Sequence, residues 1–165
     1  MQSRFIEFLK ECDTVTVALV GKSGEPDVCH LPFVMDQCGT LFIFTSEIAS
    51  HYKSLTESSH ASLMLVSGQT AKMGGSFAKE RCKLQCRVEG PVDEERDEIL
   101  MGFSSRYGSI VEMLKGLKDF HVWKLIPVSG IFIQGFGAAY RITSPSKLPS
   151  KQMTGKHEKE ARENA

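Results

Sequence analysis

The five histidines have the widest chemical reach of any side chains in this sequence. Imidazole changes charge near neutral pH and serves as a general base, a proton shuttle or a haem ligand. His30 falls in a strand of mixed polarity and His60 just ahead of another, and both read as incidental. His51 lies on a short helical segment, one residue before the apolar Tyr52. His121 shares a strand with Trp123, where a packed, hydrogen-bonded histidine is the ordinary occupant. His157 sits in TGKHEKEARE, whose charges by themselves describe a solvated side chain. The five cysteines (Cys12, Cys29, Cys38, Cys82, Cys86) are odd in number and contain no CxxC or CxxCH. That pattern argues against a disulfide framework, a zinc ribbon or covalently attached c-type haem, and leaves reduced, mostly buried thiols.

Common catalytic signatures are missing. Without GxSxG, GxxxxGK[ST] or HExxH, a serine hydrolase, a P-loop NTPase and a zincin have no anchor in the sequence. The run GFGAAYRI spaces two glycines like part of a dinucleotide fingerprint, but it ends a strand near the C-terminus with no βαβ helix behind it. Its glycines more simply permit a bend or a close backbone approach. Lys plus Arg equals Asp plus Glu at 20 each, so no bulk basic field gathers nucleic acid or anionic membrane. Any anion must be held by a local patch. The opening MQSRFIEFLKECD interleaves charged and apolar residues and lacks the apolar stretch and cleavage site of a signal peptide. Nowhere do about 18 apolar residues run together, so no membrane span is expected and the cytoplasm is the expected location.

The elements that must position these residues follow from hydrophobic period. Phe5, Ile6 and Leu9 predict a short leading helix, and TVTVALV (14–20) a strand. GKSGEP turns the chain into a second strand over 28–35, and DQCG into a third, TLFIFT (40–45). Ser46 is expected to cap a helix carrying Ile48, Tyr52 and Leu55. A buried strand over 61–66 leads to SGQTAKMGGS, expected to be a mobile loop. In RCKLQCRV (81–88) the alternation is strict: Cys82, Leu84, Cys86 and Val88 share one face, and Arg81, Lys83, Gln85 and Arg87 the other. Acids at 93–95 introduce a long amphipathic helix from Ile99 to Leu114 that Gly102 or Gly108 could bend or split. Two closing strands, 120–126 and 131–140, are expected to flank a turn at PVSG. The chain divides into a domain over 1–143 and a polar tail over 144–165. Six or seven antiparallel strands with two or three helices fit a small barrel, whereas a parallel doubly wound sheet fits poorly.

Taken together, GEPDVCHLPFV, FTSEIASHYKSL with ASLMLV, FAKERCKLQC, and above all LKDFHVWKLIP with GFGAAYRI, resemble the HugZ- and HutZ-type haem-utilisation branch of the pyridoxamine-phosphate-oxidase-like split barrels. The resemblance runs from about Phe5 to Thr143. It implies a mainly β split barrel with helices, working as a homodimer with haem at the subunit interface. Family roles fall on His157 as ligand of the haem iron, on Asp119 of LKDF as its supporting carboxylate, and on Arg81 as the contact to the haem carboxylates. His51 corresponds to a further family histidine near the haem pocket, and with Asp119 makes up the candidate catalytic pair. These roles are chemically coherent, since a ligating imidazole needs an acceptor on its second nitrogen and a guanidinium suits a propionate. The implied activity is haem oxygenation to a biliverdin-type product with release of iron, drawing on an unknown reductant.

Two rival readings come with the same fold. One is an FMN-dependent oxidoreductase. Flavin-binding relatives carry cations along the second strand and at the start of the next helix, where this chain aligns Cys29, Val34, Ala49, Ser50 and His51, with Lys53 nearby. The other is a haem carrier without turnover, which needs the same iron ligand.

Overall fold

The structure, a computed structural model, describes residues 2–68, 75–135, 138–143 and 151–152, with backbone alone for 2–3, 77 and 151–152. Helix α1 (Gln2–Glu11) turns Phe5, Phe8 and Leu9 inward, as their spacing requires. Strands β1 (Thr14–Val20), β2 (Pro26–Met35) and β3 (Leu41–Ser46) form a meander. Helix α2 (Ser50–Glu57) and strand β4 (His60–Val66) follow, then a 3-10 turn (Gly75–Ala78) and β5 (Arg81–Glu89). Helices α3 (Arg96–Tyr107) and α4 (Ser109–Leu114) precede β6 (Phe120–Gly135), β7 (Ala138–Ile142) and the two-residue β8 (Lys151–Gln152).

Every pairing is antiparallel, in the order β3-β2-β1-β4-β5-β6-β7-β8, and β3 pairs also with β6. That last pairing closes β1 to β6 into a six-stranded barrel, the split-barrel architecture, from which β7 and β8 extend. One core fills the barrel, built around Val17, Phe33, Ile43, Leu63, Leu84, Trp123 and Leu125. Phe5 and Phe8 of α1 close it, each with its ring centroid 5.0 Å from that of Phe132. A second core lies between the outer side of β3 and β6 and helices α3 and α4. Strand β3 serves both: Leu41 and Ile43 face the interior while Phe42 and Phe44 face the helices, so a strand buried on both sides reads as an unbroken apolar run.

Three expectations need correction. Ser46 does not cap α2, which begins at Ser50 after Ala49 with no side-chain cap. It ends β3, and its hydroxyl donates to the Asp119 carboxylate and accepts from the Ile48 N–H at 3.2 Å, shaping a turn instead. PVSG is no turn, because β6 runs straight through it. The register jumps from Gln85↔Ser129 to Cys86↔Pro127, leaving Val128 as the extra residue of a bulge. Pro127 has no N–H to give a central strand, and a bulge is where a strand accommodates it. The chain reverses instead between Gly135 and Ala138, which pair with each other. Finally, the strand over 61–66 is not buried throughout: β4 turns Ala61, Leu63 and Leu65 inward and leaves Met64 and Val66 exposed. Beyond residue 143, β8 pairs through Lys151 and Gln152 to Arg141 and Tyr140.

The helical break falls at Gly108, whose φ of 75° other residues rarely adopt, and Gly102 remains inside α3. Most of the SGQTAKMGGS expectation lies outside the described residues. Among the described residues no helix is long and apolar enough to cross a membrane.

Candidate functional site

Among the described residues, the candidates from sequence fall in two places at opposite ends of β6. The first is the corner where β3, α2 and the start of β6 meet. Thr45 points inward and is buried, and its hydroxyl lies 2.7 Å from Nε2 of His51 on α2. The next residue, Ser46, points outward and bonds the Asp119 carboxylate, while Glu47 N–H donates to the Asp119 carbonyl at 2.8 Å. Glu47 Oε1 in turn sits 2.7 Å from Nε2 of His121, the register partner of Thr45. Tyr52 covers the group, with ring centroids 5.6 Å from His121 and 5.7 Å from Trp123. Burial holds the His51 pKa below the ordinary histidine value, so its ring is neutral at physiological pH and available as a base or acceptor.

The second place is the outer face of β5, β6 and β7. Arg81 opens β5, with Nη1 donating to the Lys79 carbonyl at 3.1 Å. The preceding residue is held firmly: Glu80 binds Arg4 of α1 (Nε to Oε1, 2.9 Å), and Arg4 also binds Glu11 at 2.8 Å. Ser67 N–H donates to the Glu80 carbonyl at 3.0 Å. These bonds tie α1 and the end of β4 to the start of β5 and fix the root of the Arg81 side chain. Beside it opens a cleft of about 440 Å³ lined by Lys83, Gln85, Gly130, Ile131, Arg141 and Thr143, among others.

Of the residues singled out from sequence, His51 and Asp119 therefore share one corner, bonded to consecutive residues of β3 on opposite faces of the strand. No hydrogen bond joins them to each other among the described residues. Arg81 lies apart, since it pairs with Ile133 while Asp119 precedes Phe120, roughly 40 Å away along the strand contour. One copy of the chain does not bring Arg81 to Asp119. His157 lies outside the described residues. Four cysteines are buried and Cys38 is exposed, and all are free. Burial pushes the thiols of Cys12 and Cys29 to about 11 and that of Cys86 to about 12, which leaves them protonated and poor nucleophiles. No cluster of three or more metal-ligating side chains occurs among the described residues.

The residues missed from sequence are Glu47, Lys83 and Arg141. The alternation of RCKLQCRV did place Lys83 on the face of Arg81. Nothing local marks Arg141, whose position across Ile131 from Lys83 depends on the register of three strands.

Comparison with known proteins gives this geometry a lineage. The pyridoxamine 5'-phosphate oxidase family profile matches residues 1–134. The haem oxygenase HutZ of Vibrio cholerae is 31% identical over 157 residues, spanning 93% of this chain and 87% of that one. The crystal structure of HutZ from the same organism, described there as a haem storage protein, superposes with a TM-score of 0.69 at 28% identity, covering 76% of this chain and 89% of HutZ. Campylobacter jejuni ChuZ shares the fold with a TM-score of 0.74 at 24% identity, over 90% of this chain and 64% of ChuZ. A closed six-stranded barrel, a profile match over most of the chain and this relative agree: the protein belongs to the pyridoxamine 5'-phosphate oxidase family, in its HugZ/HutZ-like haem-utilisation branch.

Proposed function

We propose that the chain binds haem between two copies of itself and that oxygen, with electrons from an external reductant, opens the porphyrin ring there, giving a biliverdin-type product, free iron and the excised bridging carbon as a one-carbon product. The similarity to HutZ over most of both chains carries this reading. Bound haem would supply the iron that activates oxygen and the ring that is cleaved. The chain's own share is ligation, orientation and water exclusion. His157 ligates the iron, Asp119 accepts from its second nitrogen, and Arg81 pairs with a propionate. Asp119 Oδ2 is taken by Ser46, so Oδ1 is the atom left to accept. His51 stays neutral beside Thr45, held to move a proton near the pocket.

The distance between Asp119 and Arg81 along β6 supports a site shared by two copies. So does the outer sheet face, where Val28 on β2 and Met64 and Val66 on β4 flank β1 and are exposed. Such a patch favours association. The flavin alternative is weakened by the positions where its phosphate would need cations. Cys29 is buried with its Sγ toward the Val17 carbonyl, and Val34 packs into the second core. Lys53, the nearby cation, projects into solvent.

Titration with haem should produce a sharp Soret band that His157→Ala abolishes or shifts, and an unchanged spectrum would remove the ligand assignment. Ascorbate added in air should bleach the band, whereas retention of haem would make the protein a carrier. Light scattering should give twice the 18.3 kDa chain mass. Yellow purified protein with flavin absorbance would reverse the order of the readings.

A further inference from the structure

The cleft on the outer face of β5 to β7 carries cations that none of the described residues neutralises. Lys83, Ile131 and Arg141 lie abreast on three successive strands, and Arg81, Ile133 and Ala139 form the next row on that face. Strand spacing sets Lys83 and Arg141 about 10 Å apart at their backbones, and pleat spacing sets Arg81 about 7 Å from Lys83. Long side chains close both gaps over the isoleucines. Lys83 and Arg141 are exposed and have no hydrogen-bond or ion-pair partner among the described residues. Two cations facing each other across an apolar residue, with no counter-charge among the described residues, repel, and a bound anion relieves it.

Ile131 and Gly130 floor the cleft; a Cβ at Gly130 would turn inward to 2.7 Å from the buried Leu84 Cδ2 and 2.6 Å from the Lys83 carbonyl, so the glycine is set by the close approach of β6 to β5. Next to it the bulge at Val128 shifts the register, a device that strands use where a side chain must be re-aimed. The cleft thus combines apolar Ile131, a bare glycine and cations on both sides. Its match is a flat apolar body with acidic groups on one edge.

We propose that Lys83 and Arg141 form an anion cradle that takes the second carboxylate of bound haem, next to the first carboxylate on Arg81. The assignment rests on the haem reading and adds two residues to it. Met64, on the exposed apolar face, is the register partner of Lys83, so the cradle adjoins the surface where a second copy would pack.

The test titrates wild-type protein, Lys83→Gln, Arg141→Gln and the double variant with haem and with haem dimethyl ester, reading the Soret band. Each single variant should bind haem about tenfold more weakly, the usual worth of one charge-assisted contact. The ester should bind all four proteins alike, and Lys83→Arg should restore most of the affinity. Near-ultraviolet circular dichroism confirms that the variants are folded. Full haem affinity in the folded double variant would overturn the cradle and leave the haem reading standing, whereas wild-type protein that binds no haem would overturn both. FMN and riboflavin form the control arm. FMN binding tighter than riboflavin, with the difference lost in the double variant, would assign the cradle to a phosphate and overturn the carboxylate assignment.

Discussion

The two ends of β6 solve opposite problems. At the β3–α2 corner the described polar side chains have partners within the chain: Thr45 with His51, Ser46 with Asp119, Glu47 with His121. On the outer face of β5 and β7, Lys83 and Arg141 have none among the described residues. The corner is preorganised at the expense of freedom, and the cradle is open at the expense of mutual repulsion. The contrast separates residues that hold the apoprotein together from residues whose worth, on the proposed reading, would appear on binding.

Removing corner groups should be the costlier change for the apoprotein. Asp119→Ala leaves the Ser46 hydroxyl without its charged acceptor and should cost about 2 kcal/mol in urea denaturation. Thr45→Val keeps the shape of a buried side chain but strips His51 Nε2 of its partner, for about 1 kcal/mol. At the other end, Lys83→Gln with Arg141→Gln should change apoprotein stability by less than about 0.5 kcal/mol. A large loss there would mean that the outer cations are structural, and the contrast would collapse.

Acid sharpens the same comparison. The folded chain resists protonation of His51, because burial lowers its pKa, while the unfolded chain accepts the proton at the ordinary histidine value near 6.5. The unfolded state therefore binds more protons below that pH, and stability should fall as pH drops from about 7 toward 5. His51→Gln should flatten this slope in denaturation curves recorded across the range. The double cradle variant should leave it as it is.

Much of the architecture was legible in sequence. The strict alternation at 81–88 located β5 and its two faces, and TLFIFT located β3, whose burial on both sides only the packing of the helices shows. Gly108 did split the helix. Two failures have a common physical origin: Pro127 with Gly130, and Ser46 before an amphipathic segment, are strong local signals that tertiary partners overrode. The facing strand β5 absorbs Val128 as a bulge, and Asp119, distant in sequence, claims the Ser46 hydroxyl. The site was legible only in pieces. Periodicity gives a residue its face but not its neighbour two strands away, so Arg141 remained hidden until the register was known.

The pairing of β3 with β6 also sets how the chain must fold. Leu41 meets Leu125 and Ser46 meets Phe120, roughly 80 residues later in the chain, so closure carries a large loop entropy and waits on β4, β5 and the helices between. During synthesis β3 has its apolar residues ready long before their partner leaves the ribosome. An unpaired strand of this composition is a template for aggregation. Barrel closure should therefore be the slow phase of refolding, and Ile43→Ala, at the middle of the β3–β6 seam, should slow it more than a change of equal cost on β1.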